Sequence, residues 1–412
     1  MVCPNSLLLN WYNEILAFSD LKSTILHSPI REERISIIKN SNTPIEIINY
    51  DALHRYFNLL TEKHYDMLIF DESSRYIKNM SSSRTQASIL LADTVKYKLI
   101  LTATPIANKP LDLWSQFRVL DGGSSFGTNY YSYRGRYFEK AGVSWKLKLS
   151  SSPILSRQIY KQCIMRKKRD CLSSLPDIVN QRIQIPQGDL GSTYNKIKKR
   201  VIAELKEDGK LSKIKMTNIF TKLLRLQQAT SGFVNDSEHN TIELKHQPKL
   251  KALVEQVSTI VDSNESVVIW CRFKHSMKMI ERELKKEGIE SVSLSGSDNT
   301  TEKYAKWKGF QKDKNLKVFI GQVEAGGFGI ELFKHDEDPE KNQHMIFYEN
   351  TWSLDTRIQA MGRIDRMGQK AKSVVYTDLV IENSIDERIL NAISNNKEIA
   401  DLIMENGYTS ML

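Results

Sequence analysis

Two consecutive carboxylates follow an unbroken apolar run in the segment YDMLIFDESSRYIKN, which begins at Tyr65. The run MLIF is typical of a strand that is buried on both faces, as in a parallel sheet covered by helices. Such sheets place their chemistry just beyond the carboxyl ends of their strands. Asp71 and Glu72 stand at that point, where they could serve as a magnesium ligand and as a base that activates water. The alternative is that Asp71 only caps a following helix.

A second apolar strand, in the segment LILTATPIANKPLDLW from Leu99, ends in Thr-Ala-Thr-Pro. Neighbouring parallel strands end on the same side of a sheet, so the hydroxyls of Thr102 and Thr104 are predicted to lie at the same edge as Asp71. At that edge they could sense the state of a bound phosphate. Taken alone, these residues would also fit an ordinary exit from a strand into a loop.

Paired arginines lie in the segment DTRIQAMGRIDRMGQ, which begins at Asp355. Arg363 and Arg366 are three residues apart, so on a helix they would share one face, with Gln359 one turn earlier. Two guanidinium groups that face carboxylates are the arrangement expected for holding a transferring γ-phosphate. A solvated basic face is the alternative for any two arginines.

A glycine-rich turn follows another predicted strand in the segment VFIGQVEAGGFGIEL. Small residues such as Gly326 and Gly327 would let the backbone of a polyanion approach the main chain, and a helix that begins nearby would offer free N–H groups to phosphate. Tight turns also require glycine for conformational reasons alone.

These motifs belong to two blocks in which short apolar strands alternate with amphipathic helices, the pattern of a parallel sheet covered by helices. The first block spans residues 1–121 and the second spans residues 248–412. The residues between them, 122–247, are basic, aromatic-rich and mainly helical, and they are predicted to form a bridge or insertion. Strands are predicted to begin at Ile45, Met67 and Lys98 in the first block and at Val267, Lys317, His344 and Val374 in the second.

Composition restricts the class of protein. The 412 residues are 40% hydrophobic and 26% charged, as in an ordinary soluble protein of two or three domains. The formal net charge of +10 favours a polyanionic partner such as nucleic acid, although a basic surface that only maintains solubility would give the same excess. The absence of a long apolar stretch and of a secretion signal predicts an intracellular protein with no membrane partner, cytoplasmic if its source is bacterial or viral.

The cysteines indicate no metal centre. Cys3, Cys163, Cys171 and Cys271 lie far apart, with no CxxC pair and no cluster of histidines. Neither a zinc site nor a disulfide framework is therefore predicted.

In this order, the motifs resemble those of the Swi/Snf-type branch of the superfamily-two helicases. The resemblance is carried in chain order by VCPNSLLLNWYNEI, FDESSRYIKN, LTATPIANKPLDLW, EAGGFGIEL and QAMGRIDRMGQ, and it spans nearly the whole chain. It implies an α/β fold in which two RecA-like parallel-sheet lobes, joined by the mainly helical bridge, close on ATP and magnesium. It also implies movement along double-stranded DNA without necessarily separating the strands.

The resemblance also implies a role for each motif residue. Asp71 would hold magnesium through water, and Glu72 would orient the attacking water. Arg363 and Arg366 would reach the γ-phosphate from the second lobe, with support from Gln359. Nucleotide coupling would fall to Thr102 and Thr104, and contact with DNA to Gly326, Gly327 and Lys78.

Two departures from the family's pattern lie near these residues. Ser73 and Ser74 stand where Ala or Gly followed by His is more common, which weakens a contact that couples nucleotide to DNA. Glu331 stands where a polar Asn is common, and it puts one repulsive charge near the proposed phosphate path.

The largest departure is that the 412 residues contain no P-loop, which needs two glycines five apart followed by Lys and Ser or Thr. The only Gly-Lys pair, Gly209-Lys210, precedes a leucine. In the family this loop lies upstream of the segment with which the chain begins, so the first lobe is expected to be incomplete. The strand that leads to Asp71 is expected to have unpaired edge groups, and ATP binding by this chain alone is expected to be weak.

Three explanations for the missing loop stay open. A separate polypeptide could supply it, the sequence could be truncated or start late, or the chain could work without hydrolysis. The favoured function is an ATP-dependent double-stranded-DNA translocase whose complete form includes the loop. A hydrolysis-deficient DNA-binding scaffold is the alternative, and the retained carboxylates and arginines argue against it. Unwinding of RNA or of single strands is a third hypothesis, which the basic bridge and the ending RMGQ disfavour.

Overall fold

The computed structural model describes residues 1–103, 109–141, 144–166, 168–172, 174–207, 213–235, 240–323, 330–334 and 338–395. The chain divides into two compact units, Met1–Lys167 and Lys168–Leu412. The segment 122–247, predicted as a bridge, is divided between these two units at that boundary.

Unit 1 is built on a five-stranded parallel sheet in the order β2-β3-β1-β4-β5. Its strands are β1 (Val2–Cys3), β2 (Ser23–Ile25), β3 (Ile45–Asn49), β4 (Met67–Phe70) and β5 (Tyr97–Ile100), and an antiparallel hairpin adds β6 (Phe138–Ala141) and β7 (Ser144–Leu147). Its helices are α1 (Leu8–Phe18), α2 (Arg31–Asn40), α3 (Tyr50–Leu53), α4 (Phe57–Thr61), α5 (Ser73–Tyr76), α6 (Ser83–Asp93), α7 (Leu113–Asp121), α8 (Tyr130–Tyr137) and α9 (Ser152–Gln162).

The two faces of this sheet are covered unequally. Leu68 and Phe70 of β4 are buried in a core that also contains apolar side chains of α6 and α7. On the opposite face, α1 packs against β1 and β3. Met67 of β4 and its β5 neighbours Tyr97 and Leu99 remain 45%, 56% and 40% exposed. The part of this face nearest β5 is therefore bare among the described residues.

Unit 2 contains a six-stranded parallel sheet in the order β12-β13-β11-β14-β15-β8. These strands are β8 (Asp177–Ile185), β11 (Ser266–Cys271), β12 (Ser291–Leu294), β13 (Val318–Gln322), β14 (Gln343–Phe347) and β15 (Ser373–Ile381), and the antiparallel pair β9 (Phe233–Asn235) and β10 (Thr241–Glu243) lies apart. The helices are α10 (Lys168–Cys171), α11 (Leu190–Glu207), α12 (Lys213–Thr230), α13 (Pro248–Asp262), α14 (Lys274–Lys286), α15 (Thr300–Lys312), α16 (Leu354–Met361) and α17 (Ile385–Ser394).

The central strand of this second sheet, β11, is buried along its whole length, as its continuous apolar sequence predicts. Helices α13 and α14 pack on one face of the sheet, and a separate cluster that includes Trp270 and Phe319 fills the other. The close approach of Gly321 to the Trp270 ring leaves no space for a Cβ atom, because such an atom would lie 2.5 Å from the ring.

The predicted α/β class and the two parallel sheets are confirmed. The Asp71 strand is not an edge strand, because β4 pairs with β5 over four residues and with β1 at Phe70. The expectation of unpaired groups on this strand holds only for the rest of its β1 side in the described part of the chain. One edge of the sheet is β5, whose one strand neighbour among the described residues is β4.

Candidate active site

The carboxylates stand directly beyond the carboxyl end of β4, as predicted. The Asp71 backbone N–H donates to the carbonyl of Val2 at 2.8 Å, and the Tyr50 hydroxyl donates to the Asp71 carbonyl at 2.6 Å. These bonds hold the Asp71 main chain between β1 and the end of β3. Burial raises the pKa of the Asp71 carboxyl above its usual value, while hydrogen bonds to the carboxylate oppose that rise.

Those opposing hydrogen bonds come from two donors. The Trp11 indole donates to Oδ2 of Asp71 at 2.8 Å, and the Glu72 backbone N–H donates to Oδ1 at 2.9 Å. Sequence reasoning missed Trp11, which lies on α1 sixty residues earlier. A tryptophan on a helix that directly follows a short strand was the sequence feature that could have pointed to it.

The backbone of Glu72 adopts the left-handed conformation, with φ of +51°. Residues other than glycine rarely adopt it, and it costs on the order of 1 kcal/mol. It turns the chain between β4 and α5, where Glu72 and not Asp71 occupies the N-cap position. The alternative that Asp71 only caps a helix is therefore wrong.

The exit from β5 lies beside the turn that carries Asp71 and Glu72, the acidic turn. The Ser73 backbone N–H donates to the Leu101 carbonyl at 3.0 Å, and the hydroxyls of Ser74 and Thr102 are 2.8 Å apart. Thr102 is thus at the same sheet edge as Asp71, while Thr104 lies outside the described residues. The Ser74 hydroxyl therefore joins the segment that follows Asp71 to the exit of β5. The expectation that Ser73 and Ser74 weaken a contact coupling nucleotide to DNA stays a prediction.

The arginines lie on a turn and not on a helix. Helix α16 ends at Met361, and the backbone N–H of Arg363 donates to the Ala360 carbonyl in the turn that follows. The shared face expected for Arg363 and Arg366 on a helix therefore does not apply, because the helix ends at Met361 with Gly362 as the C-cap residue. Gln359 does lie on α16, and its side-chain amide donates to Asp355 Oδ2 at 3.2 Å.

The two guanidinium groups have different surroundings. Arg363 is 5% exposed, and its Nη1 donates to the Ile330 carbonyl at 3.4 Å. Arg366 is about one third exposed, with Nε donating to the Gly362 carbonyl at 2.9 Å and Nη1 lying 3.1 Å from Oε1 of Glu331. Glu331 was expected to place a repulsive charge near the phosphate path. In the structure its carboxylate forms an ion pair with Arg366.

Three residues are predicted to contact DNA. Gly326 and Gly327 lie outside the described residues. Lys78 is half-buried, and its carbonyl accepts a hydrogen bond from the Ser115 hydroxyl at 3.0 Å. These observations leave the predicted DNA contacts untested.

The donor set at Asp71 fits a magnesium ion held through water. Each oxygen of the carboxylate accepts one hydrogen bond, so each keeps a lone pair for a further partner. Magnesium retains most of its water and binds proteins through one or two carboxylates together with phosphate oxygens. The described residues contain no group of three or more His, Cys, Asp or Glu side chains that could hold a metal ion by themselves.

Within the described ranges, no helix combines the length and the apolar character needed to span a membrane.

Comparison with protein families gives two matches. Residues 1–232 match the SNF2-related domain, and residues 248–368 match the helicase conserved C-terminal domain.

Curated proteins with similar sequences have names that refer to helicases and to chromatin or TATA-binding-protein factors. The chain is 27% identical over 405 residues to an uncharacterized ATP-dependent helicase of Mycoplasma pneumoniae, covering 97% of this chain and 36% of that protein. It is 25% identical over 469 residues to the TATA-binding protein-associated factor MOT1 of Saccharomyces cerevisiae, covering 100% of this chain and 24% of the factor. The chain thus spans about a third or less of the length of these relatives.

Among solved structures, the SWI2/SNF2 ATPase core of Sulfolobus solfataricus in complex with double-stranded DNA is similar to this chain. The TM-score is 0.44 at 22% identity, covering 100% of this chain and 83% of that one.

Proposed function

The chain belongs to the SNF2-related family, the Swi/Snf-type branch of superfamily two with two RecA-like lobes, and we propose that it is the motor core of an ATP-dependent double-stranded-DNA translocase. The observation that supports this most is the acidic turn of unit 1. Asp71 and Glu72 stand beyond the end of a buried parallel strand, and Thr102 lies beside them at the exit of the next strand.

In this proposal, catalysis consists of positioning and charge stabilisation. Asp71, oriented by Trp11, would hold a magnesium ion through water, and the ion would supply positive charge beside the phosphates. Glu72 orients the attacking water, and Arg363 and Arg366 stabilise the charge that develops on the γ-phosphate. Thr102 transmits the state of that phosphate through Ser74 to the acidic turn.

The phosphate cradle of this motor would come from polypeptide outside the 412 residues, because their sequence contains no P-loop. The open edge of β5 and the bare apolar surface formed by Met67, Tyr97 and Leu99 support this proposal. Parallel sheets are normally covered by helices on both faces, and exposed apolar edges are normally protected. A strand that pairs with β5, followed by a helix over the bare face, would place its connecting loop at the same sheet end as Asp71.

ATP hydrolysis with and without duplex DNA tests the proposal. The comparison is between this chain and a form that carries a P-loop segment ahead of Met1. We expect DNA-stimulated hydrolysis only in the longer form, and Glu72→Gln should abolish it while leaving ATP binding intact. A longer form that binds ATP but never hydrolyses it, with or without DNA, would overturn the motor.

The scaffold alternative has its own support, since the basic chain lacks a P-loop. It predicts that duplex DNA binds with the same affinity in the presence and absence of ATP, in both forms of the protein. A nucleotide-dependent change in DNA affinity in the longer form would exclude it.

A further inference from the structure

Two segments of unit 2 that are distant in sequence contact each other at the turn that carries Arg363 and Arg366, the arginine turn. The Leu332 backbone N–H donates to the Arg363 carbonyl at 2.9 Å, and Arg363 Nη1 donates back to the Ile330 carbonyl. Glu331 lies between Ile330 and Leu332 in the chain, and it forms an ion pair with Arg366. The segment Ile330–Leu332 therefore contacts both proposed phosphate-binding arginines.

The two contacts differ in chemistry. Arg363 is buried, and its Nη1 donates to the neutral carbonyl of Ile330. Arg366 is held by a carboxylate, and both side chains of the pair are 32% exposed. Ion pairs of this exposure are weak because water screens the charges, so a dianionic phosphate can displace Glu331 from Arg366.

We infer that Glu331 is a positioning residue that holds Arg366 in a resting ion pair and must release it before Arg366 can bind phosphate. This inference rests on the proposed function, which assigns Arg366 to the γ-phosphate. In the resting state the Glu331 carboxylate occupies a hydrogen-bonding position at Nη1 of Arg366. Competition between this carboxylate and phosphate lowers the affinity of Arg366 for phosphate.

The experiment uses phenylglyoxal, which modifies arginine side chains, with the modified residues located by mass spectrometry. Wild type, Glu331→Gln and the matched control Glu290→Gln are compared; Glu290 is an exposed glutamate elsewhere in unit 2. Each protein, in the form that carries a P-loop segment ahead of Met1, is labelled at increasing concentrations of magnesium pyrophosphate. The ratio of Arg366 to Arg363 modification separates a local effect from general unfolding, which would expose both residues.

We expect Glu331→Gln to raise the modification rate of Arg366 relative to Arg363. Pyrophosphate should then protect Arg366 at a concentration about two- to fivefold lower than in wild type, the range for a partly exposed ion pair. The control should match wild type.

Two other outcomes would overturn the inference, and they separate it from the proposed function. Equal protection of Arg366 in wild type and Glu331→Gln would mean that Arg366 binds phosphate without interference from Glu331. Absence of protection in both proteins would remove Arg366 from phosphate binding, and with it this part of the proposed function.

Discussion

The Trp11 indole donates to Oδ2 of Asp71, and the Glu72 backbone N–H donates to Oδ1, so the carboxylate is held from both sides. Because both donors stabilise the ionised form, they offset part of the cost of burying the charge. A carboxylate that is already oriented loses little rotational freedom when it accepts hydrogen bonds from metal-bound water. If Asp71 holds magnesium as proposed, Trp11 would act on the metal through Asp71 without touching it.

Replacing Trp11 with phenylalanine should weaken metal binding. The Trp11→Phe variant keeps an aromatic ring in the apolar cluster and loses only the indole donor. We expect about a tenfold loss of Mn²⁺ affinity in the presence of ATP, measured by electron paramagnetic resonance on the form that carries a P-loop segment, because partners that orient a metal-binding carboxylate typically have effects of this size. Trp145→Phe, in the β6–β7 hairpin, is the matched control, and equal losses in the two variants would contradict the role of Trp11.

A second effect at the scale of single residues concerns Glu265 and the stability of unit 2. It accepts hydrogen bonds from the backbone and side chain of Asn342 at 2.9 and 3.0 Å and contacts Nε2 of His344 at 2.7 Å, joining the starts of β11 and β14. Burial alone would raise the pKa of Glu265, yet these partners lower it below the usual value. The stabilisation is therefore complete at pH values above the unfolded-state pKa, and it is lost as the pH falls through the lowered folded-state pKa.

The expected result is that Glu265→Gln lowers the free energy of unfolding of unit 2 by about 1.5 to 3 kcal/mol at pH 6.5, the size of one hydrogen bond to a charged group. The difference from wild type should shrink as the pH falls below about 4.5. Urea unfolding across that range measures it, with the exposed Glu287→Gln as control. A difference that stays constant with pH would show that the hydrogen bonds do not depend on the charge.

At the scale of elements, the sheet of unit 1 has an apolar face beside β5 that no described residue covers. Leu99 is 40% exposed there, although strands of this apolar character are normally covered on both faces. If the polypeptide that supplies the phosphate cradle covers this face, Leu99 becomes buried in the longer form of the protein only.

Leu99→Lys tests that difference. In the 412-residue chain the variant should change the free energy of unfolding by less than about 0.5 kcal/mol, as at other exposed sites. In the form that carries a P-loop segment it should cost roughly 2 kcal/mol or more, because a buried charge would lie in an apolar contact. Denaturant unfolding of both forms measures this, and Leu16→Lys, at an exposed leucine of α1, should be neutral in both. Equal effects of Leu99→Lys in the two forms would exclude docking on this face.

The elements that were predicted correctly share one property. Each contains a short apolar run, and a strand in a parallel sheet follows directly from that pattern. These strands are β3, β4, β5, β11, β13, β14 and β15. Strand β8 was missed because its sequence, DIVNQRIQI, is largely polar, and only pairing with β15 along its full length makes it a strand. The spacing of Arg363 and Arg366 left open whether they lie on a helix, because spacing alone does not show that the helix stops at Gly362.

The site residues follow the same division between local pattern and long-range contact. The sequence placed Asp71, Glu72 and Thr102 together because parallel strands end on one side of a sheet. It did not predict the bond from Trp11 to Asp71 or the pairing of Glu331 with Arg366, since each joins residues at least 35 positions apart. Such contacts depend on packing that no local spacing encodes.

At the scale of the whole molecule, the formal net charge of +10 is the strongest feature that bears on DNA. A basic protein that binds the phosphate backbone releases condensed cations, so its affinity falls steeply with salt. For roughly five phosphate contacts, the slope of log K against log salt concentration is about −4 to −5 on duplex DNA. We expect that slope for this chain, measured by fluorescence anisotropy between 50 and 200 mM salt, with weaker binding to RNA and to single strands at every salt concentration. Tighter binding to RNA would replace the duplex-DNA assignment.

The salt dependence of DNA affinity can also be tested at a single residue, Lys78. It is half-buried close to the acidic turn, and it is the one proposed DNA contact that lies among the described residues. If its ammonium group neutralises one phosphate, Lys78→Gln should weaken binding to all duplex sequences alike and should make the salt slope less steep by about 1. Lys285→Gln removes one charge from an exposed site on α14 in unit 2, so it controls for net charge alone. Equal changes in slope for the two variants would mean that DNA responds to the overall charge of the protein, and Lys78 would then have no specific place in the DNA path.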